Sequence, residues 1–398
     1  MREFFPLIFA TVVILVLGAA EILLLAFLNR PWWINRRLRT ASWALPLIGV
    51  VAVALWGWGE YSGRDWLAWP GAVLAVVTLV SELALMISLP LSGFLHLANW
   101  ILDRLGRDRS GKARPVDSNR RAVLKAAAAG LPLLAVSMGG AGVTRAFAGV
   151  NVFLKPIHFD SLSPGLNGLR ILHLSDLHLG HYVRLDNLEQ VLTEADLLKP
   201  DLVVVSGDIA DNLSQLGDAI NMMNSLGPRL GVYACLGNHE HFRGLTQVKR
   251  TFERSPVPLL VDQAVTLDAD GSRFLLGGID DPQRMRGADR AFFKRHIDQC
   301  FSAADSRSDF TLLISHRPDA LNYASETGVD LTLAGHTHGG QVGLGGHSLF
   351  ESVWPRQYLW GHYRKGGSHL YTSSGVGHWF PFRLGCPPEA PVIELRSS

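Results

Sequence analysis

Asp, Asn and His recur in five short runs in the C-terminal part of the chain. The runs are Asp176-Leu177-His178, Gly207-Asp208, Gly237-Asn238-His239-Glu240, Ser315-His316 and Gly335-His336-Thr337-His338. Carboxylate, carboxamide and imidazole groups ligate hard and borderline divalent metals, which need several such atoms on rigid supports. An isolated Gly-Asp or Asp-x-His is ordinarily a turn, and Ser315-His316 alone reads as a core or capping pair. Five such runs in order point instead to a metal centre.

The segments that must position these side chains are apolar and strand-like: Ile171–Ser175, Leu202–Ser206, Val232–Leu236, Thr311–Ile314 and Leu331–Ala334. Open α/β sheets gather ligands beyond the carboxyl ends of their strands, where each run lies. Helices are predicted over Leu188–Leu198, ended by Lys199-Pro200, over Leu216–Ser225 and over Leu245–Arg254. Later strands are predicted at Leu259–Val261, Phe274–Gly277, His369–Thr372 and Val392–Leu395. Strands and helices interleave early and strands dominate late, which suits two packed β-sheets flanked by helices.

The chain has 398 residues, 48% of them hydrophobic and only 18% charged, which calls for a membrane portion. Residues 1–102 are mostly apolar, whereas 151–398 have the composition of a globular domain. The net charge of +2 says nothing about nucleic acid, because no basic tract lies in the globular part, and no nucleic-acid binding is indicated. Cys235, Cys300 and Cys386 form neither a C-x-x-C pattern nor an even framework. One disulfide stays open as an alternative to three inert thiols, and the metal ligands are imidazole and oxygen.

Three apolar stretches are long enough to span a bilayer, which takes about 20 residues. They are Phe4–Leu28, Ala41–Trp58 and Trp69–Leu95, the last with an amphipathic tail to Leu105. Trp32, Trp33, Trp56, Trp58, Trp66 and Trp69 cluster at span ends, as in interfacial belts. Basic loops at 29–40 and 103–125 belong in the cytoplasm by the positive-inside rule. A fourth crossing through the weaker run Ala126–Ala141 then delivers the remainder to the outer face. Asn119-Arg120-Arg121-Ala122-Val123-Leu124-Lys125 resembles a twin-arginine export signal, the alternative being a stop-transfer flank. Glu21 and Glu82 fall inside apolar spans, where carboxylates are costly and are functional candidates, with helix packing the plainer alternative.

Together the five runs resemble the calcineurin-like metallophosphoesterase superfamily, whose pattern is D-x-H, G-D, G-N-H-[E/D], H and G-H-x-H. All five blocks occur in order, from Leu169 nearly to the C-terminus. Ser175-Asp176-Leu177-His178-Leu179-Gly180, Gly339-Gly340-Gln341-Val342 and Gly385-Cys386-Pro387-Pro388-Glu389 are similar to a membrane-linked and exported bacterial subgroup. The apolar spans resemble those of transmembrane metallophosphoesterases. The resemblance implies that Asp176, His178 and His338 hold one metal, that Asn238, His316 and His336 hold another, and that Asp208 bridges them. Two metals about 3.5–4 Å apart bind a phosphoryl oxygen and lower the pKa of a shared water. Mixed His and Asp ligands with a neutral Asn suit Mn, Fe or Zn better than a Mg-only site. His239 resembles the residue that protonates the leaving group or steadies phosphoryl charge, with Asp211 orienting it. Glu240 and His241 are expected to support the ligands. His173, His296 and His369 are expected to be structural, His181 and His378 lie by glycines in candidate site loops, and Arg317 meets either a phosphate or an ion-pair partner.

The expectation is therefore an α/β, four-layer metallophosphoesterase sandwich behind an N-terminal transmembrane helical region. Its parts are three spans in 1–102, a basic linker with the twin-arginine-like segment in 103–150, and the catalytic domain in 151–398. The expected activity is hydrolysis of phosphate mono- or diesters by a metal-activated hydroxide. The setting is the inner membrane of a bacterial envelope, with the catalytic domain on the extracytoplasmic face and a lipid-linked ester favoured as substrate. Two alternatives stay open: a cytoplasmic-facing hydrolase of a UDP-diacylglucosamine-type lipid, and a non-catalytic membrane scaffold of the same fold.

Overall fold

Leu202–Ser206 reads Leu-Val-Val-Val-Ser, β-branched and apolar throughout, and forms a strand buried on both faces. Leu202 and Val204 turn into a core between two sheets, while Val203 and Val205 turn into a core beneath helices. That alternation is the plan of the sheets in the C-terminal unit. The computed structural model describes residues 5–105, 118–180, 182–283, 290–302, 308–353 and 358–398. They divide into two compact units, residues 1–144 and 145–398. His181 and residues 106–117 of the basic segment lie outside the described residues.

The N-terminal unit contains α1 (Phe5–Phe27), α2 (Arg30–Trp33), α3 (Arg36–Ser62), α4 (Asp65–Leu105) and α5 (Ser118–Ala146, which runs on into the second unit). Four of these, α1, α3, α4 and α5, are long and apolar enough to cross a membrane. Asn35 caps α3 by accepting from the Arg37 amide at 2.9 Å, and Gly63 ends that helix at φ 62°. The third apolar stretch and its amphipathic tail are one continuous helix, carried through Pro70 and Pro90. The weaker fourth run is the middle of α5, which starts before the paired arginines.

The C-terminal unit contains strands β1 (Asn151–Phe159), β2 (Arg170–Leu174), β3 (Leu202–Ser206), β4 (Val232–Cys235), β5 (Gln263–Ala269), β6 (Ser272–Gly278), β7 (Phe310–Ile314), β8 (Leu331–Ala334), β9 (Gly343–Leu344), β10 (His347–Ser348), β11 (Gly361–Lys365), β12 (Ser368–Thr372) and β13 (Glu389–Ser397). Its helices are α6 (Leu185–Asp196), α7 (Leu216–Ser225), α8 (Asn238–Glu253), α9 (Arg290–Phe301) and α10 (Leu321–Ala324). One sheet has the order β1-β13-β2-β3-β4 and the other β11-β12-β8-β7-β6-β5. Within them β2, β3 and β4 run parallel, as do β12, β8, β7 and β6.

Ile171, Val204, Phe274, Leu276, Leu312, Ile314, Leu331 and Ile393 fill the space between the sheets. Residues of α6, α7 and α8 cover the outer face of the first sheet, and residues of α9 and α10 pack on the second. The result is a helix–sheet–sheet–helix α/β sandwich. Leu259–Val261, expected as a strand, supplies only a single bridge, from Leu259 to Ala234. The helix expected from Leu245 is preceded by a further turn beginning at Asn238, with a break at Gly244 (φ 144°). All three cysteines are buried and unpaired.

Candidate metal centre and active site

Parallel strands bring their carboxyl ends to one edge of each sheet, and every expected site residue follows such an end. Asp176 and His178 follow β2, Asp208 and Asp211 follow β3, and Asn238 and His239 open α8 after β4. From the other sheet, His316 follows β7, and His336 and His338 follow β8. Among these, Asp176, His178, Asp208, His336 and His338 have positive φ, between 48° and 71°. Left-handed backbone at non-glycine residues costs free energy and concentrates at functional sites. Here it turns each side chain back over the sheet edge.

The nine residues form one contact network. Ligand atoms of Asp176, His178 and His338 lie within 4.8 Å of one another, as do those of Asp208, His316 and His336. His178, Asp208 and His239 form a third such group. Asp208 Oδ2 stands 3.2 Å from His316 Nε2, 3.7 Å from His178 Nε2 and 4.0 Å from His239 Nε2. His316 Nε2 is also 3.1 Å from both Asn238 Oδ1 and His336 Nδ1. Atoms each about 2.0–2.2 Å from one ion stand about this far apart.

Hydrogen bonds fix which ring atoms face inward. His316 Nδ1 donates to the Ser206 carbonyl at 2.8 Å, presenting Nε2 to the cluster. Arg317 Nη1 donates to His336 Nε2 at 2.8 Å, which leaves His336 Nδ1 facing His316 Nε2 at 3.1 Å. His338 Nδ1 likewise accepts from Arg383 Nη2 at 2.9 Å, which turns Nε2 toward Asp176 Oδ1 at 3.6 Å. His178 Nε2 is buried without a hydrogen-bond partner among the described residues, 3.8 Å from Asp176 Oδ1. Its Nδ1 lies 3.3 Å from Asp211 Oδ2, but too poorly aligned to count as a hydrogen bond. An orphaned imidazole nitrogen between carboxylates is what a cation site needs, and the donor set fits divalent metals.

The electrostatics agree. Burial favours a neutral Asp208, yet His316, His239 and His178 hold its carboxyl well below the usual range. Burial likewise opposes charge on Asp211, which His178 and His239 overcome. His316 is driven up to about 10: burial works against its charge, and Asp208, Asp176 and Asp281 outweigh it. Burial and neighbouring cations push His336 and His338 well below the ordinary histidine range. Without a metal, protons balance the carboxylates, and a metal would displace them.

Surrounding residues hold the loops in place. The Glu240 carboxylate accepts from the backbone amides of Asp208 (2.9 Å), Ile209 (2.7 Å) and Gly237 (2.7 Å), tying the β3 and β4 loops together. His241 Nε2 pairs with Asp280 Oδ1 at 2.8 Å. Arg317 makes an ion pair, its Nε donating to Asp281 Oδ2 at 2.8 Å, but the pair is buried and not the surface pair that the sequence suggests. Arg383, fully buried and with no carboxylate partner among the described residues, donates to the carbonyls of His338, Ser374 and Gly377. Sequence reasoning missed Asp281 and Arg383; the one available signal was a lone cation in the apolar stretch Phe380-Pro381-Phe382-Arg383-Leu384. His173 bonds Ser206 Oγ, His296 bonds Asp262, and His369 bonds His362, and none of the three belongs to the groups of clustered ligand atoms among the described residues. His378 is buried against Phe147 and Tyr182.

Residues 169–340 match the family described as Calcineurin-like phosphoesterase. The uncharacterized metallophosphoesterase YkuE of Bacillus subtilis is 31% identical over 246 residues, covering 60% of this chain and 83% of the relative. The chain belongs to the calcineurin-like phosphoesterases. Phosphodiesterase YaeI of Escherichia coli is 30% identical, over 57% of this chain and 82% of that protein. A transmembrane protein with metallophosphoesterase domain from Bos taurus is 27% identical over 310 residues, 73% of this chain and 67% of the relative. This calcineurin-like phosphoesterase is thus a metal-dependent phosphoester hydrolase, and its four apolar helices mark it as a membrane protein.

Proposed function

We propose that this protein is a membrane-anchored phosphoesterase in which Asp176, His178 and His338 hold one divalent metal, Asn238, His316 and His336 hold a second, and Asp208 is shared. The observation that carries this reading is the position of Asp208, whose Oδ2 faces His316 Nε2 at 3.2 Å and His178 Nε2 at 3.7 Å. When bound, two such metals supply Lewis acidity toward a phosphoryl oxygen and an acidified water. The imidazole-rich set favours Mn, Fe or Zn.

His239 acts beside this centre rather than within it. Its Nδ1 is 2.5 Å from Asp211 Oδ1, and its ring is partly open to solvent, so Nε2 is the atom left to serve a substrate. A proton held at Nε2 and delivered to the departing oxygen spares the ester from expelling an alkoxide. Asp211 keeps the ring oriented, and Glu240 keeps the Asp208 loop against the start of α8.

Residues 1–102 serve as three spans, 103–150 as a basic linker with an export-signal-like helix, and 151–398 as the catalytic domain. The basic loops support an extracytoplasmic site in the inner membrane, and a reporter fused after residue 150 tests that side. Tethering raises the local concentration of membrane-borne esters, which supports a lipid-linked substrate. The test is a screen of phospholipids, sugar-nucleotide lipids and generic diesters with the Mn-loaded protein, run beside Asp208→Asn. Selective turnover of lipid esters by wild type alone supports the proposal, and equal turnover by both proteins overturns it.

A further inference from the structure

The N-terminal helical unit contains two carboxyl groups that phosphoester chemistry does not use. Glu21 on α1 is 3% exposed, and Glu82 on α4 is fully buried. Neither carboxyl oxygen of Glu82, nor Oε2 of Glu21, has a hydrogen-bond partner among the described residues. Such isolation is costly within a membrane span, where water cannot satisfy the group.

The surrounding helices converge on the two groups. Gly18 and Glu21, three residues apart, share a face of α1. A Cβ at Gly18 would stand 2.6 Å from Pro46 Cβ on α3 and 3.2 Å from Glu82 Oε1. The bare glycine therefore lets the Glu82 carboxyl lie against α1, one turn before Glu21. Pro46 has no N–H, so the carbonyl of Ser42, itself a buried residue, loses its usual helical donor in the same interior. Thr78, one turn before Glu82 and buried, spends its hydroxyl on the Leu74 carbonyl at 2.9 Å and leaves the carboxyl unserved. Acceptors are gathered here without donors, and no ion pair reaches either Glu among the described residues.

We propose that Glu21 and Glu82 form an intramembrane binding site for a small monovalent cation, a proton or sodium. The cation supplies the positive charge that the helices do not, and the spare oxygens supply its contacts. This site is separate from the metal centre and does not depend on the reading of that centre.

The test is labelling by dicyclohexylcarbodiimide, an apolar reagent that attacks protonated carboxyls in membranes, with the full chain in phospholipid nanodiscs and peptide mapping of the adduct. Wild type, Glu82→Gln and Glu21→Gln are compared in choline chloride and in sodium chloride. Unchanged helical circular dichroism and an unchanged thermal midpoint of each variant in the nanodisc show that it is folded. An adduct on Glu82 or Glu21 that is lost in the corresponding variant and is indifferent to sodium identifies a bound proton. An adduct formed in choline and suppressed by sodium identifies sodium. No adduct at either residue in both salts, or the same adduct pattern in the variants, overturns the site.

Discussion

Replacing Asp211 with Asn removes a charge while keeping the side chain's shape, and so isolates what that charge does for His239. The carboxylate lies 2.5 Å from His239 Nδ1 and 3.1 Å from Arg243 Nε, and His178 Nδ1 is 3.3 Å away. A hydrogen bond to a charged group is worth about 1.5–3 kcal/mol and a neutral one about 1, so the substitution forfeits about 0.5–2 kcal/mol. At about 1.4 kcal/mol per tenfold, kcat should fall about 2- to 30-fold. If His239 protonates the leaving oxygen, the loss must grow with leaving-group basicity: near zero for a dinitrophenyl ester and full for an alkyl ester. The assay is kcat and KM across a series of esters, with metal content measured on the same preparation because Asp211 also neighbours His178. An equal fall for every leaving group at unchanged metal content would refute the assignment. So would a change confined to KM.

Glu240→Gln keeps one acceptor but turns an amide toward backbone donors, leaving at least one of them unsatisfied. Chemical denaturation should show a loss of about 1–3 kcal/mol. Gly375→Ala would place a Cβ 2.8 Å from Asp176 Cβ at a residue with φ 87°, so metal analysis should find fewer ions per chain. Metal uptake at pH 7 should release a proton, because His316, raised to about 10, holds one that a ligand must give up. Calorimetry in buffers of different ionisation enthalpy measures this release, and affinity should rise with pH. In the metal-free protein the raised His316 contributes stability that is complete below its ordinary value of 6.5 and is lost as pH climbs to about 10. Thermal midpoints of the metal-free form should therefore drop across that window, and those of the loaded form should not.

Residues that could ligate a metal were legible because each sits directly after an apolar run, and parallel strands deliver their ends to one edge. Supporting residues were not, because their roles arise from contacts distant in sequence. Arg383 reaches His338 across 45 residues, and Asp281 reaches Arg317 across 36. The first strand, Asn151–Phe159, was missed because it is largely half-exposed or exposed and contains Pro156, and only its parallel pairing with β13 makes it a strand. Leu259–Val261 looked like a strand by composition but supplies only one bridge, from Leu259 to Ala234. The early start of α8 was hidden by Gly244, which reads as a helix breaker and here joins two helical pieces. In the N-terminal unit, composition located the apolar helices but not their ends, because α4 runs on through both prolines.

The most direct test of the metal centre is the metal content of the full-length protein and of Asp208→Asn, each measured together with phosphodiester hydrolysis. Among the described residues Asp208 is the one carboxylate within 4.0 Å of both His178 and His316, so under the proposed assignment the loss of its charge would weaken both sites. The account predicts two ions per wild-type chain, loss of at least one in the variant, and hydrolysis lost along with it. Wild-type protein that binds no metal, or a variant that hydrolyses as fast as wild type, would contradict it.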